Sequence, residues 1–303
     1  MMNIHEILTM SQEEIRERAE GLDGAENIGK DGNVFVRGNL PLVFVAHMDT
    51  VYDNTPKPED IIEENGMIRT KQGCGAGIGG DDRCGCWALF QMAEWSEESR
   101  PSLLFCSDEE TCAGSSVGLD EYDWSFAKAI IEIDAPNFGC YYTDKHSSSA
   151  LDDFLSDTIG LLEMSTSYND IHEICKAGNP PGVTIGAGYY NQHDENCEWI
   201  SVAGINAALE TARMICMNVD KLEWSVVPKP KTVNASILGT SYKTDYFNDS
   251  SLDASFSEDS FGCECSPMNG TCYGCDDIDT CEKYAMWRDM LYGDDCLTES
   301  FDV

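Results

Sequence analysis

An apolar segment that ends in polar side chains places the strongest constraint on how this chain folds. Residues 43–46 form a run of β-branched, aromatic and small residues that is typical of a buried strand. His47 and Asp49 follow it, and alternate residues of a strand share a face, so the two side chains can point together where the strand ends. A metal-binding histidine usually donates its second ring nitrogen to a carboxylate. His47 and Asp49 therefore predict a metal ligand and the group that orients it.

Strand and helix patterns alternate along the first three quarters of the chain. We predict strands over residues 42–46, 102–106, 128–133 and 183–190, and helices over residues 4–20, 81–95, 148–163 and 203–219. This alternation indicates the α/β class, with a mostly parallel mixed sheet between two layers of helices. We expect residues 1–227 to form this three-layer domain.

The pattern lapses after residue 227. Residues 228–261 are rich in Ser, Asp and Asn and predict a disordered linker, and residues 262–303 form a cysteine-rich segment. Five of its thiols lie close together in sequence: Cys263, Cys265, Cys272, Cys275 and Cys281. Four thiolates around a structural zinc ion would fold a segment that is too polar to hold a core. An iron–sulfur cluster would use the same ligands, and disulfides are the third alternative.

The overall charge narrows the choice of partners. The chain has a net charge of −36, from 55 acidic and 19 basic side chains, and this charge would repel nucleic acid and anionic membranes. No apolar run is long enough to span a membrane, and the N-terminus lacks the layout of a secretory signal. The 15 cysteines, an odd number, then predict a reducing, cytoplasmic location. The oligomeric state is left open.

Further polar residues fall at the ends of predicted strands or in the loops that leave them. They are Asp81, after a glycine-rich loop, Glu109, Glu110, Asp134 and His193. Sites in open α/β sheets form at the carboxyl ends of the strands, so these side chains are expected to meet. Clustered carboxylates repel each other unless cations neutralise them. Mixed histidine and carboxylate ligands suit two zinc ions, with cobalt or manganese as alternatives.

The order of these motifs resembles that of a known family. The sequence contains His-x-Asp-Thr-Val, Gly-Gly-Asp-Asp-Arg-x-Gly, Ser-Asp-Glu-Glu, a strand-end Asp and His-x-x-x-x-Glu, in that order, between residues 43 and 202. The series resembles the co-catalytic zinc exopeptidases of the peptidase T, glutamate carboxypeptidase and aminoacylase types, and the related zinc aminopeptidases.

The resemblance assigns a role to each matching residue. It implies that one zinc is held by His47, Asp81 and Asp134, and that the other is held by Asp81 as the bridge, Glu110 and His193. Glu109 resembles the general base, and Asp49 the carboxylate that orients His47. Asp82 is only the neighbour of the bridging residue. His172 is the other candidate for this histidine ligand. We prefer His193 because it follows an apolar strand.

Two departures from the family pattern affect the expected activity. Cys112 and Ser115 stand where the family usually has glycine, and the interval between Asp134 and His193 is too short for the lid domain of the glutamate carboxypeptidase type. We therefore expect a lidless hydrolase that cleaves amide bonds of small peptides, with an aminopeptidase favoured. A deacylase or carboxypeptidase acting on N-acyl amino acids is the alternative. A catalytically idle metal-binding scaffold, with the cysteine-rich segment as its interaction module, is a third hypothesis.

Overall fold

The structure is a computed structural model that describes residues 2–29, 32–111, 116–143, 145–165 and 169–227. The predicted linker and the cysteine-rich segment, with Cys263, Cys265, Cys272, Cys275 and Cys281, lie outside the described residues. The loop residues Cys112 and Ser115 also lie outside them. The domain boundaries and the C-terminal zinc site therefore stay predictions.

The described residues form one mixed sheet. Its strands are β1 (Ala25–Asn27), β2 (Val34–Val36), β3 (Leu42–His47), β4 (Ile61–Glu64), β5 (Met67–Thr70), β6 (Ser102–Cys106), β7 (Ala129–Pro136), β8 (Cys140–Thr143), β9 (Leu162–Ser165), β10 (Gly182–Tyr190) and β11 (Trp199–Ser201). The main path runs in the order β1-β2-β6-β3-β7-β10-β11-β5-β4, and β8 pairs with β10 and β9.

The centre of the sheet is parallel and its flanks are antiparallel. Strands β6, β3, β7 and β10 run in the same direction, whereas β1, β2, β11, β5 and β4 pair antiparallel with their neighbours. Strand β8 pairs antiparallel with β10 and parallel with β9. The four central strands consequently end at one edge of the sheet, which is the edge that the predicted site requires.

Helices cover the sheet. They are α1 (Ile4–Ile7), α2 (Gln12–Glu20), α3 (Gly80–Ala93), α4 (Ser149–Asp153), α5 (Asp170–Ile174) and α6 (Val202–Met217), with a π-helix at Phe154–Ile159 and 3₁₀ turns at Pro58–Asp60, Glu97–Ser99, Glu109–Thr111, Leu119–Glu121 and Val219–Lys221. Helix α3 packs on β3, β7 and β10 and contacts α6. Within the described ranges, no helix is both long and apolar enough to cross a membrane.

Alternate residues of β3 face two separate parts of the core. Val43 and Val45 are fully buried in a cluster with Ile171 and Ile174 of α5. Phe44 lies between them in sequence and is also fully buried, so it faces the opposite side of the sheet, toward α3. Burial on both faces explains why the segment is apolar without alternation, as is typical of a central parallel strand. The predicted α/β architecture, with helices flanking a mixed sheet, is confirmed.

Two of the predicted helices differ in the structure. The single helix predicted over residues 4–20 is two helices, α1 and α2, because Ser11 caps the second one. Its hydroxyl accepts the Glu14 N–H, and the Glu14 carboxylate accepts the Ser11 N–H at 2.8 Å. The helix predicted over residues 148–163 ends at Ile159, because Gly160 adopts a left-handed conformation (φ +86°) and β9 follows.

Candidate metal centre

The carboxyl ends of the central strands bring the predicted residues together. His47 is the last residue of β3, and Asp134 lies near the end of the adjacent β7. Glu109 and Glu110 begin the 3₁₀ turn that follows β6, and His193 comes shortly after β10 ends. Because these four strands are parallel, all of these side chains lie at one edge of the sheet.

Asp81 stands at the centre of the cluster and contacts both histidines. Its Oδ1 lies 3.1 Å from His47 Nε2, and its Oδ2 lies 3.1 Å from His193 Nε2. Asp134 Oδ1 is 3.5 Å from His47 Nε2, and Glu110 Oε1 is 3.1 Å from His193 Nε2. Five residues from five separate segments are thus linked through one aspartate, and each contact joins two atoms that can bind a metal.

Two overlapping sets of donor atoms lie close enough together to hold a metal ion. His47, Asp81 and Glu110 offer atoms within 4.8 Å of one another, and so do His47, Asp82 and Asp134. Asp82 is fully buried, and its oxygens already accept the backbone N–H groups of His47, at 3.3 Å, and Gly85, at 2.8 Å. These bonds hold Asp82 against the backbone, whereas the Asp134 carboxylate contacts the side chains of His47 and Tyr189.

Crowded negative charge is the main electrostatic feature of the cluster. Burial and then Asp81 raise the pKa of both Asp134 and Glu110. Burial would also raise the pKa of Asp81, but its contacts with His193 and His47 outweigh burial and hold that pKa below its ordinary value. Burial would lower the pKa of His47, but Asp134, Asp49 and Asp81 raise it instead. The negative charge of these carboxylates is balanced in this structure through contacts with two histidines. Divalent cations would neutralise it more completely, so the cluster suits them.

Glu109 lies beside the cluster but is not part of either donor set. Burial raises its pKa to about 7, and the nearby carboxylates of Asp170 and Glu110 add to this effect while His47 opposes it. Its backbone N–H donates to Asp49 Oδ1 at 3.0 Å, and the Glu110 N–H donates to Asp49 Oδ2 at 3.0 Å. A carboxyl group with this pKa can accept and return a proton near neutral pH.

Asp49 also lies next to His47, as the sequence predicts. Its Oδ1 is 3.3 Å from His47 Nδ1, although this pair is not aligned as a hydrogen bond. Burial would raise the pKa of Asp49, but His47 and the two backbone N–H groups lower it. Asp49 is thus held as a charged carboxylate between His47, at the end of β3, and the turn that carries Glu109.

The two candidate histidines occupy different places. His193 Nε2 contacts Asp81 and Glu110, and these contacts, with Asp81 the stronger, raise its pKa to about 9. His172 Nδ1 lies 3.1 Å from Asn169 Oδ1, and its ring packs edge-on against that of His146, with centroids 4.8 Å apart. The geometry therefore brings His193, and not His172, to the donor cluster.

Three buried acids near the site received no role from the sequence. Glu198 accepts backbone N–H groups of the glycine-rich loop, Glu132 accepts the Thr184 hydroxyl at 2.9 Å, and Asp170 begins α5. Burial raises the pKa of all three. Glu132 carried a detectable signal, since it interrupts an otherwise apolar strand. Asp170 carried none, because an acid in the first turn of a helix is commonplace.

Comparison with known proteins identifies the fold. No protein-family model and no curated protein matches the sequence. Solved structures do match. A tripeptidase from Staphylococcus aureus has a TM-score of 0.54 and 13% identity, over 71% of this chain and 96% of that one. Aminopeptidase PepT from Bacillus cereus has a TM-score of 0.54 and 12% identity, over 72% and 96%. An aminopeptidase from the archaeon Desulfurococcus kamchatkensis has a TM-score of 0.52 and 10% identity, over 75% and 98%.

These likenesses establish the class to which the fold belongs. At such low identities they concern the fold alone, and it is the α/β fold of the tripeptidase and aminopeptidases named above. The resemblance to the co-catalytic zinc exopeptidases, predicted from the sequence motifs, is confirmed at this level. Between Asp134 and His193, the described residues belong to strands of the same sheet and to helices that pack with them, without a separate lid domain.

Proposed function

We propose that this protein is a metal-dependent hydrolase that cleaves amide bonds of small peptides, with an exopeptidase of the aminopeptidase type favoured. One observation carries the proposal: the two carboxylate oxygens of Asp81 each lie 3.1 Å from a different histidine, His47 and His193. A carboxylate between two such ligand groups has the arrangement needed to bridge a pair of metal ions.

The donor chemistry fits two zinc ions, with cobalt or manganese as alternatives. His47, Asp81 and Asp134 would hold one ion, and Asp81, Glu110 and His193 would hold the other. Mixed histidine and carboxylate ligands suit zinc. The raised pKa values of Asp134 and Glu110 support the fit, since they reflect buried negative charge that cations would neutralise. When bound, such ions polarise a substrate carbonyl and lower the pKa of water.

Glu109 would supply the acid–base chemistry. Its pKa of about 7, set mainly by burial, lets it take a proton from the attacking water and pass it to the leaving amine. Asp49 fixes the backbone of Glu109 and Glu110 through two 3.0 Å hydrogen bonds. It would thereby keep the general base and one ligand in a fixed position relative to each other. Its Oδ1 also lies 3.3 Å from His47 Nδ1.

The substrate class follows from what surrounds the cluster. The described residues contribute no lid that could hold the far end of an N-acyl amino acid, so a peptide with a free amino end is the favoured substrate. The tripeptidase and aminopeptidases that share the fold agree with this choice. Deacylase or carboxypeptidase activity on N-acyl amino acids is the alternative.

The deciding experiment is a screen of dipeptides, tripeptides and N-acyl amino acids with added zinc, cobalt or manganese. We expect turnover of small peptides, its loss on treatment with a chelator and its recovery when metal is returned. Turnover of N-acyl amino acids alone would favour the deacylase. Binding of about two metal ions without turnover of any substrate would overturn the hydrolase in favour of an idle scaffold.

A further inference from the structure

Glu198 makes two hydrogen bonds to the segment from Gly79 to Asp81, where the glycine-rich loop joins the non-helical first residues of α3. Its side chain is 2% exposed; Oε2 accepts the Gly79 N–H at 3.1 Å and Oε1 accepts the Asp81 N–H at 3.2 Å. Both oxygens are therefore used, and both bonds go to backbone groups on either side of Gly80. Glu198 itself lies immediately before β11, so it is anchored by the sheet.

The glycine-rich loop can reach Glu198 only because Gly80 lacks a side chain. A Cβ atom at Gly80 would lie 3.2 Å from Glu198 Oε1, 2.7 Å from Tyr189 Cβ and 2.9 Å from Ile200 Cγ1. The first of these distances is tight and the other two are too short for ordinary contacts. The loop backbone is therefore packed against β10 and β11 at this point, which explains why a glycine stands directly before the central aspartate.

A carboxylate suits this position better than an amide. A buried polar group is costly unless its hydrogen bonds are made, and two N–H donors pointing at one side chain require two acceptor atoms. Glutamine offers one acceptor and one donor, so one loop N–H would face an NH₂ group. Burial raises the pKa of Glu198 to about 7, and the two backbone hydrogen bonds counter part of this effect by favouring the charged form.

We propose that Glu198 is a positioning residue that fixes the backbone of Gly79 to Asp81, so that the two oxygens of Asp81 face His47 and His193. The inference rests on the proposed function, because it takes Asp81 as the ligand shared by two metal ions. Loss of Glu198 should differ in its effect from loss of a residue that binds only one metal ion. Loosening the loop turns Asp81 away from both histidines, so both metal sites weaken together.

The test compares Glu198→Gln with Glu195→Gln in the full-length protein. Glu195 is an exposed glutamate of the same segment, so its variant controls for the loss of one negative charge. Metal-free protein is titrated with zinc alone, in competition with a chelator of known affinity. We expect Glu198→Gln to bind both zinc ions roughly 10- to 100-fold more weakly, as is usual for the loss of a group that orients a ligand, and Glu195→Gln to match the wild type.

Other outcomes are separable. Equal zinc affinity of Glu198→Gln and wild type would overturn the inference, and so would weakening of only one of the two sites. If Glu198→Gln does not fold, Glu198→Asp replaces it, since the shorter side chain keeps the charge but cannot reach both N–H groups. Its binding both zinc ions as tightly as the wild type would also overturn the inference. Zinc binding by the wild type without peptide turnover would overturn only the proposed function, because the affinity comparison needs no substrate.

Discussion

Asp49 and Glu109 are 60 positions apart in sequence, yet the Asp49 carboxylate accepts the Glu109 backbone N–H at 3.0 Å. The second carboxylate oxygen accepts the N–H of Glu110. One side chain just beyond the end of β3 thus fixes the turn that follows β6. The sequence assigns Asp49 only to the orientation of His47, whereas the structure shows that it also holds the segment that carries the candidate general base.

Replacing Asp49 should therefore reduce stability as well as activity. We expect Asp49→Ala to lower the unfolding free energy of the metal-free protein by about 2–3 kcal/mol, because two backbone N–H groups lose a charged acceptor. Urea denaturation measures this change, and Asp53→Ala, at an exposed aspartate in the same loop, is the matched control. Equal midpoints for the two variants would contradict the role assigned to Asp49.

Substitution of Glu109 should separate catalysis from metal binding. Glu109→Gln keeps the shape of the side chain but removes its capacity to accept a proton, so we expect kcat to fall roughly 100- to 10,000-fold. The zinc content should stay at the wild-type value, since Glu109 is not one of the five residues proposed to hold the two ions. Steady-state kinetics and metal analysis of the same preparation measure both quantities. A fully active Glu109→Gln variant would refute its role as general base.

The two candidate histidines provide a matched pair of variants. His193→Ala should lower the zinc content from about two ions to about one, because it removes a group that lies 3.1 Å from both Asp81 and Glu110. His172→Ala should keep both ions, since its ring packs against His146 instead. Metal analysis after dialysis against limiting zinc measures the number of zinc ions that each variant binds. Loss of zinc from His172→Ala alone would reverse the assignment.

The metal-free protein should become less stable as the pH rises from 6 to 9. Burial raises the pKa of Glu109 and Glu198 from 4.5 to about 7, so their contribution to stability is complete below pH 4.5 and is lost as the pH rises through 7. Asp81 raises the pKa of His193 from 6.5 to about 9, so its contribution is complete below pH 6.5 and is lost as the pH rises through 9. The two glutamates and His193 therefore all make the metal-free protein less stable as the pH rises.

Thermal melting at several pH values measures this loss of stability. Metal ions replace the bound protons, so the increase in Tm on adding zinc should be larger at pH 8.5 than at pH 6. The contribution from His193 should be small, because half of its side chain is exposed. A metal-free Tm that rises over this range would contradict the buried acid cluster as the source of the pH dependence.

The central strands could be predicted because their sequence is controlled by burial on both faces. Residues 102–106 match β6 at both ends, and the run before His47 matches β3 to within one residue. The sequence does not predict the short flanking strands β1, β4 and β11, since three or four partly exposed residues carry little periodic signal. The same holds for the break after Ile159, where one glycine redirects the chain.

Some features of the site could likewise be predicted from the sequence, whereas others could not. The meeting of His47, Asp134 and His193 at one edge of the sheet could be predicted, because each follows or ends an apolar strand and parallel strands end together. The contact of Glu198 with Gly79 could not, because it joins residues that are 119 positions apart through backbone N–H groups that every residue type offers. Side-chain ligands leave a signature in sequence, whereas their backbone supports depend on tertiary structure.

The close approach of β10 and α6 gives the last prediction. Gly188 has a φ of +91°, and a Cβ atom there would lie 2.5 Å from both Gly204 C and Ile205 N of α6. Gly188→Ala should therefore cost roughly 2–4 kcal/mol, since backbone atoms of a packed helix must move in addition to the strain of the left-handed conformation. Gly24→Ala is the control, because Gly24 has a φ of +78° with no atom within 4 Å, and it should cost only about 1–2 kcal/mol. Urea denaturation of both variants measures the difference, and equal costs would show that backbone strain alone, and not the packing of α6 on the sheet, requires a glycine at position 188.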